Sequence, residues 1–285
     1  MIHGVLIFCA AMSVITTVGI VVVLIWESVP FFREVPLTEF LGGTRWTPLF
    51  QPQHFGVLPL VSGTLLVAGG ATLIALPLGL GTAIYLSEYA SSWIRDLVKP
   101  LLEILAGIPS VVFGYLAVVL FSPLIRRLFP SADLFNAANA CLVVGIMVLP
   151  MIVSLSEDVL RSVPRSLREA AYALGANKFD VTVGVVVPAA LSGIVASILL
   201  AIGRAIGETM AVTLAAGASP KLTLNPLVSV QTMTAYIVEV SQGDIPAGSV
   251  EHRTIFAVGL LLFLFTLLLN VFSQWILARV RERYE

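Results

Sequence analysis

Charge is what this sequence has least of. Only 12% of its 285 residues are charged, where a soluble domain carries about 25%. That shortage excludes a water-exposed surface over much of the chain. The formal net charge is −1, so there is no bulk basic footprint for nucleic acid. Cysteine is nearly absent. Cys9 and Cys141 both fall in apolar runs and read as small buried hydrophobes, which leaves no disulfide framework and no metal site to expect. Histidine is scarce too. His3, His54 and His252 lie at the ends of apolar runs or between them, so nothing supports an enzyme with a His site at membrane depth. The sequence also lacks a Gly-x-x-x-x-Gly-Lys-Ser/Thr phosphate loop and should not hydrolyse ATP itself. No internal repeat or low-complexity tract is visible, and no inverted pseudo-repeat of the secondary-transporter kind.

What is present is apolar length: 58% of the residues are hydrophobic. A bilayer crossing takes about 20 apolar residues. Six stretches qualify: 5–26, within 57–87, 97–121, 138–156, 186–214 and 254–278. Backbone groups in lipid must be satisfied within their own segment, so these are expected to be helices. The first is too long for a signal-peptide core and lacks a small-residue cleavage pattern, so it reads as a retained span. The expected fold is all-α and polytopic, a single transmembrane domain over 1–285. Residues 27–56 form an outer loop, 57–280 the core helices, and about 157–185 a cytoplasmic loop. Glycines at 63, 69, 70, 79 and 81 suggest that the second span is central, because small residues let helices approach closely.

Lys and Arg set the expected orientation. With both termini on one side, that side carries nine: Arg95, Lys99, Arg161, Arg165, Arg168, Lys178, Arg279, Arg281 and Arg283. The other side carries six, in longer loops, including the contrary pair Arg126-Arg127. The termini are expected in the cytoplasm. The outer loop is rich in aromatics (Phe31, Phe32, Trp46, Phe50), which suits interfacial anchoring or a surface for an external binding protein. The apolar piece 227–240, interrupted by Gln231 and Glu239, is too short to span. It either lies on the outer surface or dips in as part of a gate.

One polar stretch stands out between the fourth and fifth spans. Leu167, Ala170, Ala171 and Leu174 fall at i, i+3, i+4 and i+7 and predict one face of a short helix. Ser166 and Glu169 fit a capping box, and Gly175 fits a helix stop, although Pro164 leaves the start open. Such a helix is a docking element or an ordinary interfacial helix.

Three features lie inside apolar spans. Glu103 precedes Pro109 and Ser110, where Pro109 predicts a helix break of the kind tolerated beside a cavity. Glu103 either pairs with Lys99 one turn earlier or joins a pathway. Glu157-Asp158 reads as a solvated helix end. Arg204 and Glu208, one turn apart on an expected common face, lie about 27 Å and beyond along the fifth span. An Arg at the centre of a membrane helix costs at least about 2.5 kcal/mol. It needs either neutralisation by Glu208 or a function. The functional reading is an anion site, since guanidinium presents a planar fork suited to tetrahedral oxyanions. Glu208 beside it favours an oxyanion that keeps a proton, hence phosphate over sulfate.

Glu169-Ala170-Ala171, Gly175 and the later Val185-x-Val187-Pro188 resemble the EAA loop of ABC-importer permeases. Further stretches are similar to the PstC family of phosphate-importer permeases. They include Trp46-Thr47-Pro48, Leu86-Ser87-Glu88-Tyr89, Ala106-Gly107-Ile108-Pro109-Ser110 and Arg204-Ala205-Ile206-Gly207-Glu208-Thr209-Met210-Ala211-Val212. The resemblance implies the type I, MetI-like fold and a heterodimer with a PstA-like permease. It also implies a PstB-like ATPase dimer below, a PstS-like phosphate-binding protein outside, and no nucleic acid. Arg168, Glu169, Ala170, Ala171, Leu174 and Gly175 would couple to the ATPase. Arg204 and Glu208 would line the transport path, with Glu103, Pro109 and Ser110 as a further pathway or break. The chain itself would hold no cofactor, ATP and Mg being bound by the partner ATPase. ATP-driven closure of that partner would move the helix at 165–176 and open the bundle outward. Molybdate, tungstate or sulfate as solute, the sister PstA family, and a passive channel or scaffold are the competing readings.

Overall fold

Lipid offers the backbone no hydrogen bonds, and the chain meets that constraint with helices. The computed structural model describes residues 2–280. The order is α1 (Ile2–Glu34), α2 (Leu37–Gly42), α3 (Leu58–Ile84), α4 (Ser92–Gly107), α5 (Ser110–Leu116), α6 (Ser122–Leu128) and α7 (Ala137–Ser162). Then follow α8 (Arg165–Ala173), α9 (Lys178–Val181), α10 (Val187–Gly207), α11 (Met210–Ala216), α12 (Met233–Gln242) and α13 (Val250–Val280). Single π-helical turns at Tyr85–Tyr89, Ala117–Phe121 and Thr182–Val186 join or extend α3, α5 and α10.

Six helical segments are long and apolar enough to cross a membrane: His3–Glu34, Leu58–Tyr89, Ser110–Leu128, Ala137–Ser162, Lys178–Gly207 and Val250–Arg279. The first, second, fourth and sixth correspond to expected stretches, whereas the fifth, expected over 186–214, runs Lys178–Gly207 because Glu208 turns extended. The third does not begin near residue 97. Ile108 and Pro109 are extended, so α4 ends and α5 begins a separate span. Helix α4 is amphipathic instead, with Trp93, Leu97, Leu101 and Ile104 exposed. Two of the arginines that set the expected orientation, Arg281 and Arg283, lie outside the described residues.

The centre is α3 packed along α7, with α10 against both. Their contact is filled by small and branched residues such as Ala71, Ala75, Val143, Val144, Ile152 and Ala201. Gly63 shows why glycine is needed in α3: a Cβ there would collide with the carbonyl oxygen of Gln231. By contrast α1 runs alongside α13 and leaves most of its surface bare.

Most aromatics of the 27–56 segment pack inward rather than standing as interfacial anchors, while residues 36–39 and 49–52 stay exposed. Phe31, Phe40, Trp46 and Phe55 are buried, and they pack edge-to-face in a satellite core with Tyr236 of α12. Phe50 alone of the four highlighted aromatics points outward as expected, and Phe32 packs against the cluster. The segment 227–240 dips into the bundle side rather than lying on it. Residues 230–236 are buried throughout. Its backbone is fixed by donation from Met233 N–H to Thr64 Oγ1 (3.0 Å), from Val230 N–H to the Ala216 carbonyl (3.1 Å) and from Ala137 N–H to the Val228 carbonyl (3.1 Å).

Candidate functional site

Two regions gather the polar groups that this apolar chain retains. The first is the break between α10 and α11. Helix α10 stops because Glu208 turns extended (φ −67°, ψ 132°). Its carboxylate accepts from the Ala211 N–H at 3.3 Å and so caps α11. Its carbonyl accepts from Thr234 Oγ1 at 2.8 Å, which latches the start of α12 onto the break. The expected helical pairing of Arg204 with Glu208 is therefore not formed, since the helix that would align them ends at Gly207. Among the described residues Arg204 makes no ion pair within 4 Å.

Arg204 is exposed in the last turn of α10 and faces a cleft of about 350 Å³. Glu103 and Ala106 of α4 form one wall, and Met147, Pro150 and Ser154 of α7 another. Most of that lining is apolar. Arg204 and Glu103 thus share one cleft although 101 positions separate them in sequence (204 − 103). Pro109 and Ser110 make the α4–α5 break and stay outside the cleft. Gly203 and Gly207, on either side of Arg204, have open space where a Cβ would stand.

The second region is the end that carries α8. The capping box is absent: Pro164 occupies the N-cap and no side chain caps the helix. Proline lacks an N–H and is preset for a helix start, which supplies the start signal instead. Gly175 does end α8 as expected, with φ 86°. Gly175 N–H donates to the Tyr172 carbonyl (2.9 Å) and Ala176 N–H to the Ala171 carbonyl (3.2 Å), the paired bonds of a Schellman stop.

The predicted apolar face of α8 divides. Leu167 and Ala171 pack on the core beneath, whereas Ala170 and Glu169 are exposed and Leu174 is 90% exposed. Arg168 points inward. Its guanidinium donates to Glu88 (3.0 Å) and to the carbonyls of Leu160 (2.8 Å) and Val163 (2.9 Å). It joins α8 to the end of α3 and to the C-terminus of α7, where cation and carbonyls suit each other.

Glu157 is not a solvated helix end. It is 1% exposed and accepts from Lys99 Nζ at 2.9 Å, while Asp158 accepts from the same ammonium at 2.6 Å. Arg161 stands 3.5 Å from the other Glu157 oxygen, which has no hydrogen bond. Lys99 therefore pairs across to α7 and not with Glu103. The Asp158 and Glu157 hydrogen bonds hold its ammonium above the ordinary value of 10.5. The roles of Glu88, Lys99 and Glu157 escaped the sequence reading because their partners lie 58 to 80 positions away.

A family model described as binding-protein-dependent transport system inner membrane component matches residues 75–284. The probable ABC transporter permease protein YqgH of Bacillus subtilis is 35% identical over 272 residues, covering 93% of this chain and 88% of that protein. The phosphate transport system permease protein PstC of Haemophilus influenzae is 34% identical over 276 residues, covering 90% and 85%. Among solved structures, a chain of a bacterial alginate ABC transporter bound to its alginate-loaded periplasmic protein matches with TM-score 0.65 and 16% identity. That match covers 96% of this chain and 94% of the other. A chain of the inward-facing MetNI methionine ABC transporter matches with TM-score 0.59 and 18% identity, over 80% and 95%.

Proposed function

This chain belongs to the family of binding-protein-dependent transport system inner membrane components, and from that premise we propose that it moves inorganic phosphate across the inner membrane. It is an ABC-importer permease with the MetI-like fold, and that family works with an ATPase and a solute-binding protein. The observation that carries the phosphate reading is Arg204, in no ion pair within 4 Å among the described residues and facing an apolar cleft. The PstC relatives at 32–34% identity support the same solute.

A guanidinium in apolar surroundings attracts an oxyanion more strongly than one in water, because less solvent screens it. Its fork can hold two oxygens of a tetrahedral anion. Glu103 on the facing wall repels a fully ionised dianion and accepts from a protonated one. In this reading Glu103 shares the proton-sensing role expected of Glu208, and Glu208 lies at the end of the same path. Phosphate, which retains a proton near neutral pH, fits both groups at once; sulfate fits only Arg204.

The α8 end faces the cytoplasm in this proposal, and the termini share that side. Exposed Leu174, Ala170 and Glu169 meet the partner ATPase, and Gly175 and Ala171 hold the helix that presents them. ATP and Mg belong to that partner, and this chain contributes no cofactor site. A PstA-like permease, a PstB-like ATPase pair and a PstS-like binding protein complete the assembly.

The test is phosphate uptake in cells carrying Arg204→Gln. A lost charge-assisted contact lowers uptake at least about tenfold. Unchanged uptake at normal expression overturns the anion site. In the reconstituted complex, phosphate and not sulfate or molybdate should stimulate ATP hydrolysis, and Glu103→Gln should reduce discrimination against sulfate.

A further inference from the structure

Four arginines converge at the α8 end from three separate helices: Arg95 from the first turn of α4, Arg161 from the last turn of α7, and Arg165 and Arg168 from α8. They line a polar cleft of about 490 Å³. Two carboxylates share it, Glu88 and Glu169, so the lining carries a net charge of +2 (four arginines less two glutamates).

Those charges are not evenly matched. Glu88 is committed to Arg168 at 3.0 Å, and that pair is largely buried. Arg161 leans on Glu157 at 3.5 Å. Arg95 and Arg165 make no ion pair within 4 Å among the described residues, although Glu169 is one turn from Arg165. Like charges held around one cleft repel, and a bound anion removes that repulsion. Arg165 rides on a helix anchored by Arg168, so one wall is held in place rather than free to splay.

The depth of the cleft narrows the ligand class. Tyr85, Tyr89 and Trp93, on the adjoining stretch of chain, are 47%, 41% and 70% exposed. Exposed Tyr and Trp at the ends of spans mark the membrane–water interface. Arg95 follows Trp93 by two positions, which puts the arginines at headgroup level beside water. Guanidinium pairs recognise phosphate oxygens through bidentate hydrogen bonds.

We propose that the cleft bounded by Arg95, Arg161 and Arg165 is a binding site for a phosphate group, separate from Arg204. The group is either free inorganic phosphate or the headgroup of an anionic lipid; both present the same oxygens to the same fork. Occupancy ties α4 to α8, so it stiffens the exposed helix that carries Leu174. The site does not depend on the solute assigned to the Arg204 cleft.

The experiment uses the full chain in nanodiscs. Binding of radiolabelled inorganic phosphate is measured in phosphatidylcholine discs for the unaltered chain, Arg204→Gln, the double variant Arg95→Gln/Arg165→Gln and the triple variant that combines them. Retained phosphatidylglycerol is measured by native mass spectrometry from mixed discs. If the ligand is free phosphate, binding persists in Arg204→Gln and weakens about tenfold or more when Arg95→Gln/Arg165→Gln is added to that Arg204→Gln background, which removes the other phosphate-binding arginine. If it is lipid, phosphatidylglycerol retention falls by a similar factor in the double variant alone. Arg95→Lys/Arg165→Lys, which keeps charge but not the fork, should fall between. Equal phosphate binding by the Arg204→Gln and triple-variant chains, with equal lipid retention in the unaltered and double-variant chains, overturns the proposal. Both altered positions carry no internal ion pair, and an unchanged elution profile and circular dichroism confirm that the double variant is folded.

Discussion

Glu157 is a carboxylate enclosed by protein, and Lys99 is the group that makes its charge tolerable. Removing one partner of such a contact leaves the other desolvated and unpaired, which costs more than the contact is worth in an exposed pair. Lys99 retains 32% of its side-chain exposure, so solvent softens the effect. Lys99→Met should destabilise by about 1 to 2 kcal/mol in thermal unfolding in detergent. Adding Glu157→Gln should recover part of that loss, because the two substitutions act on one contact. The pH dependence has a definite sign. A Lys whose pKa is raised in the folded state contributes fully below its unfolded value and loses that contribution as pH rises through the raised one. Stability of the unaltered chain should therefore fall on titration upward past 10.5, and Lys99→Met should show a smaller fall. These partners were illegible in the sequence for a plain reason. Glu157-Asp158 at the end of an apolar run looks the same whether it meets water or an ammonium from another helix. Trp46 has the same ambiguity: composition does not separate an aromatic at an interface from one in a core.

Among the elements, α8 is short, and its position rests on two devices. Gly175 adopts φ 86°, where a side chain costs about 1 kcal/mol or more. Gly175→Ala should fray the last turn of α8 by that amount. Hydrogen exchange at residues 170–173 would report it, and transport-coupled ATP hydrolysis should fall with it. The second device is the Arg168–Glu88 tie. Glu88→Gln should accelerate exchange across Arg165–Ala173 by about tenfold while global unfolding shifts little, since the core beneath is apolar. The helix and its stop were legible, because amphipathic spacing and a following glycine are local signals. Its start is open in the sequence between two signals, and Pro164, not the Ser166–Glu169 box, occupies the N-cap. Helix α4 was merged with the third span by its apolar content. Yet Arg95, Lys99 and Glu103, four apart, trace the polar stripe of a surface helix. The Arg204–Glu208 spacing misled in the opposite direction. A four-residue interval aligns side chains only while the helix continues, and Glu208 ends it.

At the scale of the molecule, helix count and class follow from apolar length alone, which is why six crossings could be anticipated. The side on which α8 lies is a separate matter, and labelling decides it. Cys141 is buried, and Cys9 can be replaced by Ala. With that background, a membrane-impermeant maleimide added to intact spheroplasts should label Phe50→Cys and spare Leu174→Cys; inverted vesicles should give the reverse. Labelling of Leu174→Cys from outside would remove the cytoplasmic docking role of α8.

The middle of the bundle is solid, since alanines and branched side chains occupy the contact of α3, α7 and α10. Arg204 looks away from that filled centre toward the flank. A solute on the proposed route consequently slides down one side of this chain and never through it. A flank is half a conduit. The opposite wall has to be built by another chain, so leakage and selectivity are properties of the seam between the two.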